Sequence, residues 1–135
     1  MSRKKPKKRY SDINASAKAD DNFGTIFVSM CKHETFKNLS LAERNMYVMC
    51  RAQSQDKNAK ACLYNHAYEF GRQYDLEKCF VFPAKHLEEF GFDKSNARKV
   101  LKRLVEKGFL NEIECNKHIQ KVNVYAFSDR WKNTS

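Results

Sequence analysis

No stretch of the sequence approaches the roughly 20 consecutive apolar residues that a membrane-spanning helix needs. The charged start of the chain is not followed by the apolar segment of a secretory signal either. From these two absences we expect a cytoplasmic protein with no membrane partner. The chain also lacks a P-loop, a Gly-x-Ser-x-Gly nucleophile elbow and a metal-binding histidine pair at helical spacing. Nothing singles out a Cys–His dyad, so we expect no enzyme, no cofactor and no small-molecule ligand.

The cysteines lack the spacing of a metal or disulfide motif. There are five, an odd number, and no Cys-x-x-Cys is present. In a chain that is not exported this predicts reduced thiols, most of them small apolar side chains of the core. Cys31 with His33, and Cys62 with His66, are pairs that could share a zinc ion. Because Cys-x-His is not a usual zinc spacing and the pairs lie far apart, we expect no metal.

Positive charge is abundant and is concentrated in two places. The chain has a net charge of +10, from 26 basic and 16 acidic residues. Residues 1–9 contain six basic residues and no acidic one, and the segment Asp93–Lys107 contains six basic residues against two acidic ones. Clusters of this kind attract a polyanion. The alternative is a surface whose charge only keeps the protein in solution.

Residues 1–22 have the composition of a tail. They are basic at first and then small and polar, without apolar periodicity, which predicts disorder in the absence of a partner. The basic run resembles a nuclear localisation signal if the host is eukaryotic, and it also suits an arm that follows a DNA backbone. The alternative is a solvated tail without a binding role. The arm residues expected to contact DNA are Lys4, Lys5, Lys7, Lys8 and Arg9.

A capping box predicts where the first long helix begins. In Ser40–Glu43 the serine hydroxyl would accept from the third amide of the helix, and the glutamate would reach back to the serine amide. Apolar residues at three- and four-residue spacing continue to about Gln53. Before this helix we expect a short strand at Ile26–Val28 and a turn or short helix at Cys31–Lys37.

Residues 54–78 are the hardest part of the sequence to place. A second amphipathic helix or loop is expected at Ala59–Gly71, inserted before the elements that follow. Tyr64, Tyr68 and Tyr74 give this segment an aromatic surface. Such rings stack on nucleic acid bases, but they also pad cores and dimer contacts, and the sequence leaves both roles open.

The C-terminal half contains two short helices joined by a tight turn. After a β-prone run at Cys79–Phe82, Pro83 favours a helix over Ala84–Phe90, and Gly91–Asp93 supplies the turn and the next cap. The second helix ends at Gly108 and is apolar on one face and basic on the other, which is the helix-turn-helix pattern. Its inward residues are Ala97, Val100, Leu101, Leu104 and Val105. Its outward residues are Lys94, Ser95, Asn96, Arg98, Lys99, Lys102, Arg103 and Lys107.

A β-hairpin is expected after the second helix. It comprises a strand at Phe109–Cys115, a polar loop at Asn116–Lys121 and a returning strand at Val122–Phe127. A hairpin of this kind lies over a phosphate backbone or a minor groove. The loop residues expected to contact DNA are Lys117, His118, Gln120 and Lys121.

These residues resemble the winged helix-turn-helix family, whose second helix ends in Leu-x-x-Leu-x-x-x-Gly followed by two apolar residues. The matching residues are Leu87, Phe90, Gly91, Phe92, Asp93, Ser95, Leu101, Leu104, Gly108, Phe109 and Leu110. The resemblance implies an α+β fold with the winged domain at residues 23–131 and its core motif at 79–128. The disordered arm at 1–22 precedes it and a short tail at 132–135 follows. The insertion at 54–78 is longer than the usual connection in this family.

Looser similarities concern the biological process. Phe36–Ser40 with Tyr47, and Asn123–Tyr125 near Trp131, resemble replication or conjugation accessory proteins of Gram-positive plasmids, phages and conjugative elements. This implies sequence-specific binding of double-stranded DNA by an accessory factor at an origin of transfer or replication. The alternatives are a transcriptional regulator at an operator and a protein-interaction module on the same scaffold. A homodimer or a larger nucleoprotein assembly also stays open.

The expected mode of binding follows from the dimensions of DNA. A helix fits the major groove with its first turns at the base edges, where Arg98 suits guanine and Asn96 suits adenine. Lys102 and Arg103 lie further along and are expected to contact phosphates, which set register but carry no sequence information. The expected base readers are Lys94, Ser95, Asn96, Arg98 and Lys99.

Deletion of residues 1–9 is expected to weaken binding to all DNA sequences alike, because the arm supplies charge and no base contact. The slope of log affinity against log salt concentration should become shallower, since fewer counterions are released. The measurement is a salt series with cognate and unrelated duplexes. An unchanged slope would show that the arm does not touch DNA.

Overall fold

The structure, a computed structural model, describes residues 24–114 and 123–133. Within these ranges the protein is α+β, with six α-helices and one three-stranded antiparallel sheet. The helices are α1 (Val28–Cys31), α2 (Glu34–Lys37), α3 (Leu41–Gln55), α4 (Lys57–Phe70), α5 (Ala84–Glu89) and α6 (Lys94–Glu106). The strands are β1 (Cys79–Val81), β2 (Leu110–Glu114) and β3 (Val124–Phe127), and a 3₁₀ turn follows at Arg130–Asn133.

The sheet has the order β1-β3-β2, with β3 in the centre. Because side chains alternate along a strand, the two faces of the sheet carry different residues. Phe80 and Tyr125 belong to the main core, which also contains the buried residues of α3 and α6. On the other face, Leu63 of α4 packs with a second cluster. The sheet residues of that second cluster are Cys79, Val81, Val124 and Ala126.

The capping box at the start of α3 is confirmed. The Ser40 hydroxyl accepts from the Glu43 amide at 3.2 Å, and the Glu43 carboxylate accepts from the Ser40 amide at 2.8 Å. The helix then buries Met46, Tyr47 and Cys50 in the main core. The local cap and the apolar periodicity therefore agree on the position of this helix.

The inserted segment contains a helix close to the predicted one. Asp56 caps α4 by accepting from the Ala59 amide, and Gly71 ends it in the left-handed conformation with φ of 61°. A residue with a side chain is strained at that φ, which explains the glycine. The helix covers the face of the sheet that the main core leaves uncovered, where Leu63 packs with the second cluster.

The expected strand at Ile26–Val28 was wrong. Val28 begins α1, and Phe27 is the residue before it, with both side chains exposed. The carbonyls of Phe27 and Val28 instead accept from the Cys31 and Lys32 amides, which closes a helical turn in place of a strand pairing. The β propensity of these residues therefore does not determine their structure.

The helix after β1 begins where it was predicted and ends one residue earlier. Pro83 is the residue before α5, with an extended ψ of 156°. Phe90, the last residue of the predicted helix, lies just after α5 and is 37% exposed, although its ring contacts that of Phe82 edge-on.

Glu43 holds a buried ion pair that the sequence did not indicate. Its carboxylate is almost fully buried and accepts from the Lys107 ammonium at 2.8 and 2.9 Å. Burial opposes ionisation, but the hydrogen bonds from Lys107 and Ser40 outweigh it, so the pKa of Glu43 lies below its ordinary value. Lys107, assigned from the sequence to the outward basic face of α6, is therefore committed to an internal partner.

Replacement of Glu43 by alanine is expected to lower the free energy of unfolding by about 1–3 kcal/mol, because both the cap and the charge-assisted bonds are lost. Glu43→Gln keeps the hydrogen bond to Ser40 and should lose less. The folded pKa is depressed, so the stabilising effect is present above the unfolded value of about 4.3 and is lost as the pH falls through the folded value. Urea titrations at neutral and acidic pH test this. A difference between wild type and Glu43→Gln that does not shrink in acid would contradict it.

Candidate nucleic-acid interface

The turn between α5 and α6 fixes where the basic helix begins. Gly91 has a φ of 84°, and the Phe92 amide donates to the Leu87 carbonyl, which closes the turn. Asp93 then caps α6 by accepting from the Asn96 amide at 3.1 Å. The predicted cap is confirmed, and the first turn of α6 is held by an interaction local to the sequence.

The two sides of α6 differ sharply in burial. Ala97, Val100, Leu101 and Leu104 are at most 3% exposed, and Val105 packs at the edge of the same core. The opposite side is open to solvent. The seven predicted interface residues of this helix are all exposed: Lys94, Ser95, Asn96, Arg98, Lys99, Lys102 and Arg103.

Helical geometry orders these residues around the helix. Successive residues are about 100° apart, so Ser95, Lys99 and Lys102 lie along the middle of the outward face. Arg98 lies toward one edge of that face and Asn96 toward the other. The structure therefore brings the predicted residues onto one helix, but it separates Arg98 and Asn96, the two residues expected to read guanine and adenine. The central line, which the sequence interpretation did not distinguish, follows from the same periodicity.

No ion pair with a described acidic residue offsets the positive charge on the outward face of α6. Among the described residues, the ion pairs of lysine and arginine are Glu34–Lys37, Arg72–Glu114 and Glu43–Lys107, and none involves that face. Glu106 occupies the same central line one turn after Lys102 and is exposed. It places negative charge at the C-terminal end of the face, so the attractive surface for an anion is the part from Lys94 to Arg103.

Two polar anchors hold the helices that carry this surface. The Gln53 amide nitrogen donates to the Val81 carbonyl at 2.9 Å and lies 2.8 Å from Nδ1 of His86, which ties α5 to α3 and β1. At the other end of α6, the Arg130 guanidinium donates to the Val105 and Leu110 carbonyls at 2.9 and 2.8 Å. No periodicity or spacing in the sequence predicts these long-range contacts.

The end of β2 has an anchor of its own. The Glu114 carboxylate lies 2.9 Å from Nε2 of His66 and accepts from the Tyr74 hydroxyl, while Arg72 approaches it at 3.7 Å. Burial and the bond to Glu114 raise the pKa of Tyr74 to about 12. Tyr74 is therefore an internal contact that joins the segment after α4 to the end of β2, and it does not belong to an outward aromatic surface.

Several predicted sites lie outside the described residues. These are the arm residues Lys4, Lys5, Lys7, Lys8 and Arg9, and the loop residues Lys117, His118, Gln120 and Lys121. Within the described ranges, no cluster of three or more histidine, cysteine or acidic side chains is placed to hold a metal ion. Of the described cysteines, Cys50 and Cys79 are buried as core side chains, whereas Cys31 is exposed.

Comparison with other proteins gives no further assignment. No known family, curated protein or solved structure matches the chain. Among the helices of residues 24–114 and 123–133, none is both long and apolar enough for a bilayer.

Replacing Asp93 with alanine is expected to destabilise the protein by about 1 kcal/mol, because the Asn96 amide loses its acceptor. Asp93→Ser supplies another capping oxygen and should recover most of this loss. Thermal unfolding followed by circular dichroism measures the effect. Equal stability of Asp93→Ala and Asp93→Ser would show that the cap does not hold the first turn of α6.

Proposed function

We propose that this protein binds double-stranded DNA through the outward face of α6, as a winged helix-turn-helix protein. The order of elements supports the fold assignment: α3, β1, α5, α6, β2 and β3 follow one another, with α4 inserted after α3. In this assignment α5 and α6 are the helix-turn-helix pair, and β2 and β3 are the strands of the wing. The sheet order β1-β3-β2 is compatible with it.

The observation that carries the proposal is the unshared charge on α6. Five exposed lysines and arginines lie on one side of a helix whose opposite, apolar side packs in the core. No described acidic residue forms an ion pair with them. The helix has 13 residues and is about 20 Å long, which suits insertion into a major groove. A solubilising surface needs neither the one-sided arrangement nor basic residues that form no ion pair.

The positions of the residues around the helix suggest which of them contact bases and which contact phosphates. The central line of Ser95, Lys99 and Lys102 would face the base edges. The edges of the helix would face the two phosphate backbones that form the groove walls, with Arg98 toward one wall and Asn96 toward the other. In this arrangement Lys102 is a candidate base contact, whereas sequence position alone assigned it to phosphate.

The biological process is proposed on the resemblance alone. An accessory role at an origin of plasmid or mobile-element transfer or replication is our first proposal, and operator binding by a transcriptional regulator is the alternative. Sequencing of DNA fragments retained by the purified protein would distinguish them, because the position of the site relative to an origin or a promoter differs. Retention of no fragment would favour the protein-interaction alternative.

Lys102 and Lys107 provide a matched test of the proposed interface. Lys102→Ala is expected to weaken duplex binding and to make the salt slope shallower, because one cation is removed from the part of α6 that lies in the groove. Lys107→Gln, which keeps a hydrogen-bond donor for the buried Glu43 carboxylate, should leave the slope unchanged, because Glu43 holds the ammonium group of Lys107. Fluorescence anisotropy with a labelled duplex at several salt concentrations measures both. Circular dichroism checks that the Lys107 variant is folded as the wild type is.

Comparison of the Lys102 and Lys107 variants distinguishes binding by the α6 face from a general attraction of DNA to a basic protein. If the two variants lose affinity and slope equally, net charge and not the α6 face determines binding. If the wild-type protein does not bind duplex DNA even at low salt, the proposed function is wrong.

A further inference from the structure

The outward face of α4 carries two tyrosines that the fold does not use. Tyr68 is 93% exposed and Tyr64 is 56% exposed. They lie four residues apart, one turn above the other on the same side of the helix, whereas Leu63 and His66 point toward the sheet. Two large aromatic rings at such exposure contribute little to stability.

The spacing of the two rings suits successive planar groups. Four helical residues correspond to a rise of about 6 Å, and a stretched sugar–phosphate backbone covers a similar distance from one nucleotide to the next. Aromatic side chains in nucleic-acid-binding proteins stack on base faces regardless of sequence. A duplex hides its base faces inside the stack, so only an unpaired strand can use this arrangement.

A small hollow lies beside Tyr64. It has a volume of about 180 Å³ and is lined by Lys60, Leu63, Tyr64, Leu76 and Glu77. Leu63 is buried and Leu76 is partly exposed, so the hollow offers apolar contact together with the tyrosine ring. The space is sufficient for one nucleobase, and Lys60 and Glu77 place hydrogen-bonding groups around it.

Two lysines share the outward side of α4 with the tyrosines. Lys57 and Lys60 are exposed on the turns that precede Tyr64, and Lys60 is four residues before it. The acidic residues nearby lie off this side: Asp56 caps the helix, Glu69 lies toward the edge of the face and Glu77 lines the hollow. Cations at one end of a pair of exposed rings provide the two contacts that bind single strands, one to phosphate and one to base faces.

This surface is separate from the α6 face. Leu63 packs with the sheet residues on one side, whereas the buried stripe of α6 belongs to the core on the other side, with Phe80 and Tyr125. The two outward helix faces therefore lie on opposite sides of the sheet. One short segment of nucleic acid cannot occupy both.

From these observations we propose that the outward face of α4 binds single-stranded nucleic acid, with bases stacked on Tyr64 and Tyr68 and phosphates near Lys57 and Lys60. The site takes any base sequence, because stacking and phosphate contacts carry little sequence information. This proposal does not depend on duplex binding by α6.

The test is fluorescence anisotropy of a labelled oligothymidylate of roughly 10–15 nucleotides with the full chain. The double variant Tyr64→Ala/Tyr68→Ala should bind about fivefold more weakly or worse, while Tyr64→Phe/Tyr68→Phe should bind as the wild type does. Duplex affinity should be the same in all three proteins. Because both side chains are exposed, the variants should unfold at the wild-type temperature, and circular dichroism checks this.

Three outcomes would overturn the proposal. Wild-type affinity in the double alanine variant would mean that the strand binds elsewhere, and equal losses in the alanine and phenylalanine variants would exclude stacking. If sedimentation shows a dimer that the alanine variant dissociates while oligothymidylate binding is unaffected, the face is a contact between two copies of the chain. The variant Lys102→Ala separates this proposal from that for α6. It should bind duplex DNA more weakly and still bind oligothymidylate as the wild type does.

Discussion

The buried carboxylate of Glu43 determines how α6 is held. A charge taken out of water is costly unless its oxygens are satisfied, and here they accept from the Ser40 amide and from the Lys107 ammonium. Ser40 starts α3 and Lys107 ends α6, so one side chain connects the beginning of one helix to the end of the other. The ion pair holds the end of α6 beside the start of α3, while the apolar stripe of α6 lies in the same core as the buried residues of α3.

The elements that the sequence predicted well are those specified by neighbouring residues. The cap of α3 by Ser40, the cap of α6 by Asp93 and the apolar stripe of α6 each depend on contacts within one helix, and their spacing is visible in the chain. Exposure of the basic face followed directly from burial of the stripe. The outline of the candidate interface could therefore be derived before the fold was known.

The features that sequence reasoning missed depend on residues distant in the chain. The Gln53–His86 contact, the Arg130 bonds to helix and strand carbonyls, and the Glu43–Lys107 pair join segments between 20 and 64 residues apart. The tyrosines Tyr64, Tyr68 and Tyr74 also depend on contacts that the sequence does not reveal. Periodicity placed Tyr64 and Tyr68 on a helix, but only the path of the chain after Gly71 brings Tyr74 to Glu114. Long-range geometry thus decided which rings became internal contacts.

The two proposed surfaces together suggest a protein suited to a boundary between paired and unpaired strands. The α6 face would hold the duplex, while the α4 face, on the far side of the sheet, would hold a strand that has left it. The segment between α3 and β1, which contains α4, is the part of the chain that supplies the second surface.

Trp131, the only tryptophan of the chain, is buried against segments from both ends of the domain. Its ring stacks on Phe109 at an interplanar angle of 6° and meets the His33 ring edge-on, and the Thr35 hydroxyl donates to its carbonyl. Residues near the start of the described chain and the turn that closes it are thereby packed around a single indole. The protein consequently contains its own optical reporter, whose emission follows the integrity of the whole domain while lying away from the outward faces of α4 and α6.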